Sequence, residues 1–372
     1  MFLCIPEFGF WKEVKQMSLL MKKTLALSTR QASSDSLFGR RGLRYYISAG
    51  TEPTDGYSLN VESYKTKSKS GRKYTSTAYT TLAATLSQLE KPRMSAGERN
   101  TLLVSRQKNF MEVIKGLHRE REMKIDWQAI KDSAPPFTMG EKGPLEQKAE
   151  AARRHYRPSL TDKLFAKIEQ RERELDAAIK AAAKEDITDY RIWENTVTLA
   201  DGVLALDEEC WLMVLDNMHS FDDLLEFGCS ITVGANNAKC VEVEVHANTA
   251  NVVPSQLYML SQSGKLNRMD TDKASFYNLI RDYVCSLTLR IVCDIFATLP
   301  ADGVIINIVD DRADAETGNI SQITILSAAM DRESIERLNF NVLNPWRTLS
   351  DMYCTMDFKK TEAPGEVKRV VG

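Results

Sequence analysis

Between Ala274 and Leu299 the chain runs without a helix breaker, turns almost wholly apolar from Tyr283 onward, and is stopped by Pro300. A helix that is apolar on every side has to be surrounded by other elements or by lipid. Arg290 and Asp294 interrupt the apolar run, which falls short of the roughly 20 residues that a membrane span needs. The stretch is therefore expected as a buried helix. The next segment fits that demand: Val304 to Val309 is apolar except for Asn307, as in a strand covered on both faces.

The flanking segments extend this into an acidic α+β C-terminal domain over 219–372, a mixed sheet with one long packed helix. Cys229 to Val233 and Cys240 to Val245 read as a hairpin turned by Ala235-Asn236-Asn237-Ala238, Gln322 to Ala328 as a further strand, and Arg332 to Leu338 as a short helix. Ahead of it, 145–218 reads as a helical connector: Leu145 to His155, Leu160 to Lys184, then Tyr190 to Met218 with breaks near Gly202 and Asp207. Leu164, Ile168, Leu175, Ile179 and Ala182 form a short heptad-like seam that suits a helical hairpin as well as a short coiled coil joining two copies of the chain. Residues 132–144 contain Pro135, Pro136, Gly140, Gly143 and Pro144 and are expected as a linker. A helix within 93–131 is announced by the capping box Ser95-Ala96-Gly97-Glu98 and by Leu102, Leu103, Phe110, Val113, Ile114 and Leu117. Residues 40–92 are rich in Tyr, Thr, Ser and Gly, and Arg44 to Ser48 and Tyr57 to Val61 alternate, so a small β-rich module is expected there behind an extension over 1–39.

The formal net charge of -2 hides a division along the chain. Met1 to Asp132 holds 23 Lys/Arg against 13 Asp/Glu, or +10, which leaves 26 against 38, or -12, for the rest. Arg40, Arg41, Arg44, Lys65, Lys67, Lys69, Arg72 and Lys73 are the candidate anion-binding residues, with Tyr64 and Tyr74 beside the densest run. A basic part of this kind suits nucleic acid or an acidic protein partner, and equally a solvated loop in which lysines alternate with Ser, Thr and Gly. The seven cysteines are odd in number and make neither a CxxC pair nor a zinc spacing, so they are read as reduced thiols of a cytoplasmic protein. Met1 to Leu25 mixes Glu7, Lys12, Glu13, Lys15, Lys22 and Lys23 into its apolar residues, and no targeting signal or membrane partner is expected.

Familiar catalytic spacings are missing. There is no Walker A loop, no Gly-x-Gly-x-x-Gly, no His-Glu-x-x-His and no Gly-x-Ser-x-Gly. The strongest chemical constellation is Val241-Glu242-Val243-Glu244-Val245-His246, whose period of two puts Glu242, Glu244 and His246 on one strand face about 6.8 Å apart. Joined by Asp310, such a row would resemble the acidic cluster of a magnesium-dependent nuclease. The simpler reading is a half-buried strand with its carboxylates in water, which needs no cofactor. Asp310 to Glu316 is acidic enough for a calcium loop but has Arg312 third and no glycine sixth. Trp127, Trp193, Trp211 and Trp346 read as packing anchors.

Ile125-Asp126-Trp127, Ala134-Pro135-Pro136-Phe137, Gly143-Pro144 and Tyr156 to Phe165 resemble, in that order, an uncharacterised family of bacterial cytosolic proteins. The similarity continues through Phe221 to Gly228, Asp282 to Ser286, Leu289-Arg290-Ile291, Asp331-Arg332-Glu333, Leu338-Asn339-Phe340 and Phe358 to Thr361. It implies a Pro-Pro linker, a helical segment and an α+β domain, often behind a small β-rich domain, and it implies no activity. The expectation is thus a non-catalytic binding or assembly protein whose basic module contacts nucleic acid or another anionic partner. The alternative is a metal-dependent nuclease, in the setting of bacterial host defence, working through Glu242, Glu244 and Asp310.

Overall fold

A computed structural model describes residues 44–47, 77–89, 94–159, 167–218, 221–225, 227–235, 239–313 and 317–371. In chain order these contain strand β1 (Arg44–Ile47), helices α1 (Thr77–Leu89) and α2 (Ala96–Lys115), a 3-10 turn (Leu117–Arg119), then α3 (Trp127–Lys131), α4 (Pro144–His155), α5 (Ile168–Leu204), α6 (Glu208–Met218) and α7 (Asp222–Leu225). After them come β2 (Ser230–Ala235), β3 (Cys240–His246), α8 (Thr249–Val252), β4 (Gln256–Leu260), β5 (Leu266–Asp270) and α9 (Lys273–Thr298). The last elements are β6 (Gly303–Ala313), β7 (Ile320–Asp331), α10 (Arg332–Glu336), α11 (Pro345–Ser350) and β8 (Cys354–Met356). The chain divides into two compact units, one holding Asp126–Ala205 and the other Gln31–Ile125 with Leu206–Gly372.

The larger unit is built on a six-stranded sheet in the order β1-β2-β3-β6-β7-β8. β3 and β6 are parallel, and the other neighbours are antiparallel. A parallel pair needs a long crossover, and α9 supplies it. The expected hairpin is β2–β3, and β3 alternates between half-buried and buried residues as its sequence requires. Val241, Val243 and Val245 are buried with Ile231 and Val233, whereas β6 is buried from Val304 to Asp310 on both faces. The fold is the expected α+β arrangement of a mixed sheet and a long packed helix.

From Tyr283 to Phe296 every residue of α9 is buried, which accounts for its all-round apolar sequence. The two charges inside it meet each other: Arg290 Nε donates to Asp294 Oδ2 at 2.5 Å, and both side chains are fully buried. The guanidinium also reaches Asp223 of α7 at 3.3 Å through two nitrogens, and Asp294 Oδ1 accepts from the Glu122 amide at 2.8 Å. The capping box at α2 forms as its sequence predicts, Ser95 Oγ accepting from Glu98 N while Glu98 accepts from Ser95 N.

Two departures from the sequence expectations have clear causes. Thr77–Leu89 lies in the stretch read as β-rich but is helical, because Tyr79, Leu82 and Leu86 recur at helical spacing and are buried. Lys184 to Tyr190, read as a gap between helices, is the middle of the continuous 37-residue α5. Its polar residue Asp186 is buried and serves another helix: its carboxylate accepts from Leu145 N at 3.1 Å and Glu146 N at 2.8 Å, closing the N-terminus of α4. α5 runs through Gly202 without the break expected there and ends near Asp207, at Ala205 and the left-handed Leu206.

In the smaller unit α3 and α4 pack along α5. Ile168, Leu175, Ile179 and Ala182 of the seam are half-buried in this helical arrangement, and Arg153 of α4 pairs with Asp176 of α5 at 3.0 Å. The Pro/Gly segment 132–144 lies within this unit. Trp193 Nε1 donates to Ser133 Oγ at 3.0 Å, and Phe137, Tyr190 and Trp193 stack edge to face.

Candidate functional site

The row picked out by period two occupies the face of the sheet opposite the buried valines. Register sets Glu242 between Gly234 and Ile305, Glu244 between Thr232 and Asn307, and His246 between Ser230 and Val309. All three side chains are half-buried. The same face continues over Ser327 opposite Asn307 and Thr355 opposite Ser327.

A segment following β8 lies across this polar strip. Val367 N donates to Thr324 O at 2.9 Å, Val370 N to Ser327 Oγ at 2.8 Å, and Thr355 Oγ1 to Lys368 O at 2.8 Å. Ser327 Oγ passes the chain of bonds on by donating to Asn307 Oδ1 at 2.7 Å. Arg369 then ties the segment to the acid row, its guanidinium 2.7 Å from Glu244 Oε2 with each side chain about a third exposed. Glu244 is thereby neutralised.

Asp310 is committed elsewhere. β6 shifts register between Ile308 and Val309, and beyond the shift the Asp310 carboxylate accepts from Thr249 N at 3.1 Å and from the Thr249 hydroxyl. It thus holds the first turn of α8, which starts behind Asn248 in the left-handed region. His246 Nε2 stands 3.2 Å from Asp311 Oδ1 but is not aligned for a hydrogen bond. Among the described residues no three His, Cys, Asp or Glu side chains stand close enough to hold a metal ion. Glu242, Glu244 and His246 share a face and Asp310 does not join them.

A serine–histidine contact that no sequence signal announces lies in the core. His118 Nδ1 and Ser286 Oγ are 2.8 Å apart, and the same hydroxyl accepts from His118 N at 3.1 Å. Both residues are buried, so the pair fastens the turn after α2 onto α9 and has no access for substrate. Burial without a counter-ion, aided by Arg119 and Arg121, lowers the His118 pKa to about 4, and the imidazole is neutral at physiological pH. Among the described residues, the thiols of Cys210, Cys229 and Cys354 are equally unsuited to nucleophilic work. Burial pushes Cys229 and Cys354 up to about 12, and burial with the nearby Asp207 pushes Cys210 to about 11. Cys229 Sγ lies 3.1 Å from Tyr283 OH, which donates to Ala247 O at 2.9 Å.

Of the basic candidates, Arg40, Arg41, Lys65, Lys67, Lys69, Arg72 and Lys73 lie outside the described residues. Arg44 opens β1, with its backbone opposite Gly234 at the edge of the sheet. No helix among the described residues is long and apolar enough to cross a membrane. No family model, no curated protein and no solved structure matches this chain.

Proposed function

We propose that the chain is a non-catalytic binding or assembly protein in which the basic N-terminal part contacts nucleic acid or another polyanion and the α+β unit is its folded carrier. The observation that supports this reading is the pairing of β1 with β2, which ties the basic part to the sheet: Arg44 to Ile47 run antiparallel to Ile231 to Gly234. Arg40 and Arg41 precede that strand closely in sequence, and Lys65 to Lys73 follow it. A polyanion bound by a tethered cluster of cations releases counter-ions, so affinity falls steeply with salt.

The test is a salt-titrated anisotropy measurement of the full chain against single- and double-stranded DNA and RNA, with and without magnesium, followed on a gel. The expected result is binding that weakens with salt, leaves the nucleic acid intact, and is lost on joint charge reversal of Lys65, Lys67, Lys69, Arg72 and Lys73 to Glu. Binding that survives the reversal sinks the reading. Magnesium-dependent cleavage abolished by Glu242→Gln with Glu244→Gln would replace it with the nuclease.

A further inference from the structure

A cavity of about 550 Å³ lies in the larger unit, between α10 and α11 and over the end of β7. Its charged lining groups differ in what is left for a ligand. Arg337 pairs with Glu333 one turn back along its own segment. Asp331 caps α10, its two oxygens accepting from Ser334 N at 2.8 Å and Ser334 Oγ at 2.7 Å. Asp351, on the opposite wall, makes no side-chain hydrogen bond or ion pair among the described residues, and its backbone amide alone is engaged, closing α11. The lining thus holds two carboxylates, Asp331 and Asp351, against one guanidinium, Arg337, and carries a net negative charge.

The rest of the lining limits the chemical class further. Met330, Leu338 and Met352 give the cavity apolar wall area suited to an alkyl body. Tyr353, 66% exposed, also lines it and offers an aromatic face to a cation. The hydroxyls of Thr348 and Ser334 can accept N–H bonds, Ser334 retaining lone pairs while it donates to Asp331. A metal ion would need more oxygen ligands than one free carboxylate, whereas an ammonium needs one counter-ion and a few acceptors.

We propose that this cavity binds a primary alkylammonium group, with the Asp351 carboxylate as counter-ion, Thr348 and Ser334 as acceptors and Tyr353 over the cation. The group is that of a free alkylamine or of a lysine side chain on a peptide, since both present the same head and stem. The site goes beyond the polyanion reading and is separable from it, because it takes a cation and uses none of the basic residues.

Calorimetric titration of the full-length protein with pentylamine, 1,5-diaminopentane, N-acetyl-lysine methylamide and the neutral control 1-pentanol tests the assignment. Saturable binding of the ammonium compounds without binding of pentanol is expected. Asp351→Asn, an isosteric change at an exposed position, should weaken binding about tenfold, the worth of a charged hydrogen bond. Tyr353→Leu should weaken it where Tyr353→Phe does not, and unchanged melting of each variant separates lost binding from lost folding. Tighter binding of the lysine amide than of pentylamine assigns the site to a peptide, and the reverse order assigns it to a free amine. No saturable binding by any ammonium compound, equal binding of pentanol, or full affinity in Asp351→Asn overturns the proposal.

Discussion

Arg290 carries a guanidinium into the stretch of α9 that is buried on all sides, and it is tolerated there because Asp294 and Asp223 surround it and the Glu122 amide satisfies a remaining carboxylate oxygen. Desolvating three charges nearly cancels their attraction, so the network adds little net stability while it stands intact. Removing one member is another matter. Arg290→Met takes the guanidinium away from two buried carboxylates and is expected to cost about 3–5 kcal/mol in urea unfolding. Joint replacement with Asp223→Leu and Asp294→Leu should recover part of that loss, and a single variant as stable as the parent would contradict the network. His118 supplies a pH dependence of definite sign. Its folded pKa of about 4 lies below the unfolded value near 6.5, so the unfolded chain takes up the proton first. The stability it allows is complete above pH 6.5 and is lost as pH falls through that value toward 4, at up to about 1.4 kcal/mol per pH unit. Urea midpoints between pH 7 and pH 4 should fall less steeply in His118→Gln, and identical slopes would rule the group out.

At the scale of elements, α4 depends on a residue that a linear reading assigns to the wrong place. Asp186 caps α4 from the neighbouring helix, and Gly143 leaves the room for it, since a Cβ there would overlap the carboxylate. Asp186→Ala is expected to cost about 1–2 kcal/mol as a lost cap, and Gly143→Ala a comparable 1–3 kcal/mol or so through overlap. Hydrogen exchange of the α4 amides measures both, and unaltered protection would refute the cap. This is also where legibility stops. β2–β3, β6 and α9 were readable because each periodic pattern equals its own burial pattern, and the acid row was readable because period two is strict in β3. The ribbon β4–β5 was not: Met259, Leu260 and Met269 are exposed, and the strand is held by Gln107, whose amide donates to Gln256 O at 2.7 Å and accepts from Tyr258 N at 2.6 Å. A side chain about 150 residues away leaves no periodic trace in the strand it fixes. The fates of Glu244 and Asp310 were hidden for the same reason, because Arg369 and Thr249 reach them through the fold.

On the scale of the whole molecule, the two units differ in how they are held. In Asp126–Ala205 few side chains are fully buried, chiefly Trp127, Ile130, Leu199, Ala200 and Val203, and much of the rest is helix–helix contact with exposed ion pairs such as Lys131 with Asp201. Such pairs contribute little. The other unit has a sheet, a helix buried on all sides from Tyr283 to Phe296 and buried apolar residues on β2, β3, β6 and β7. Hydrophobic burial dominates folding free energy, so the smaller unit should melt first. Calorimetry of the full chain is expected to show two transitions. Asp186→Ala should lower the first, by roughly 4–8 °C for each kcal/mol in a unit of this size, and leave the second in place. Arg290→Met should lower the second and leave the first. A single transition moved by both substitutions would mean that the units unfold as one, and the cap in one and the ion network in the other would then be drawing on the same cooperative stability.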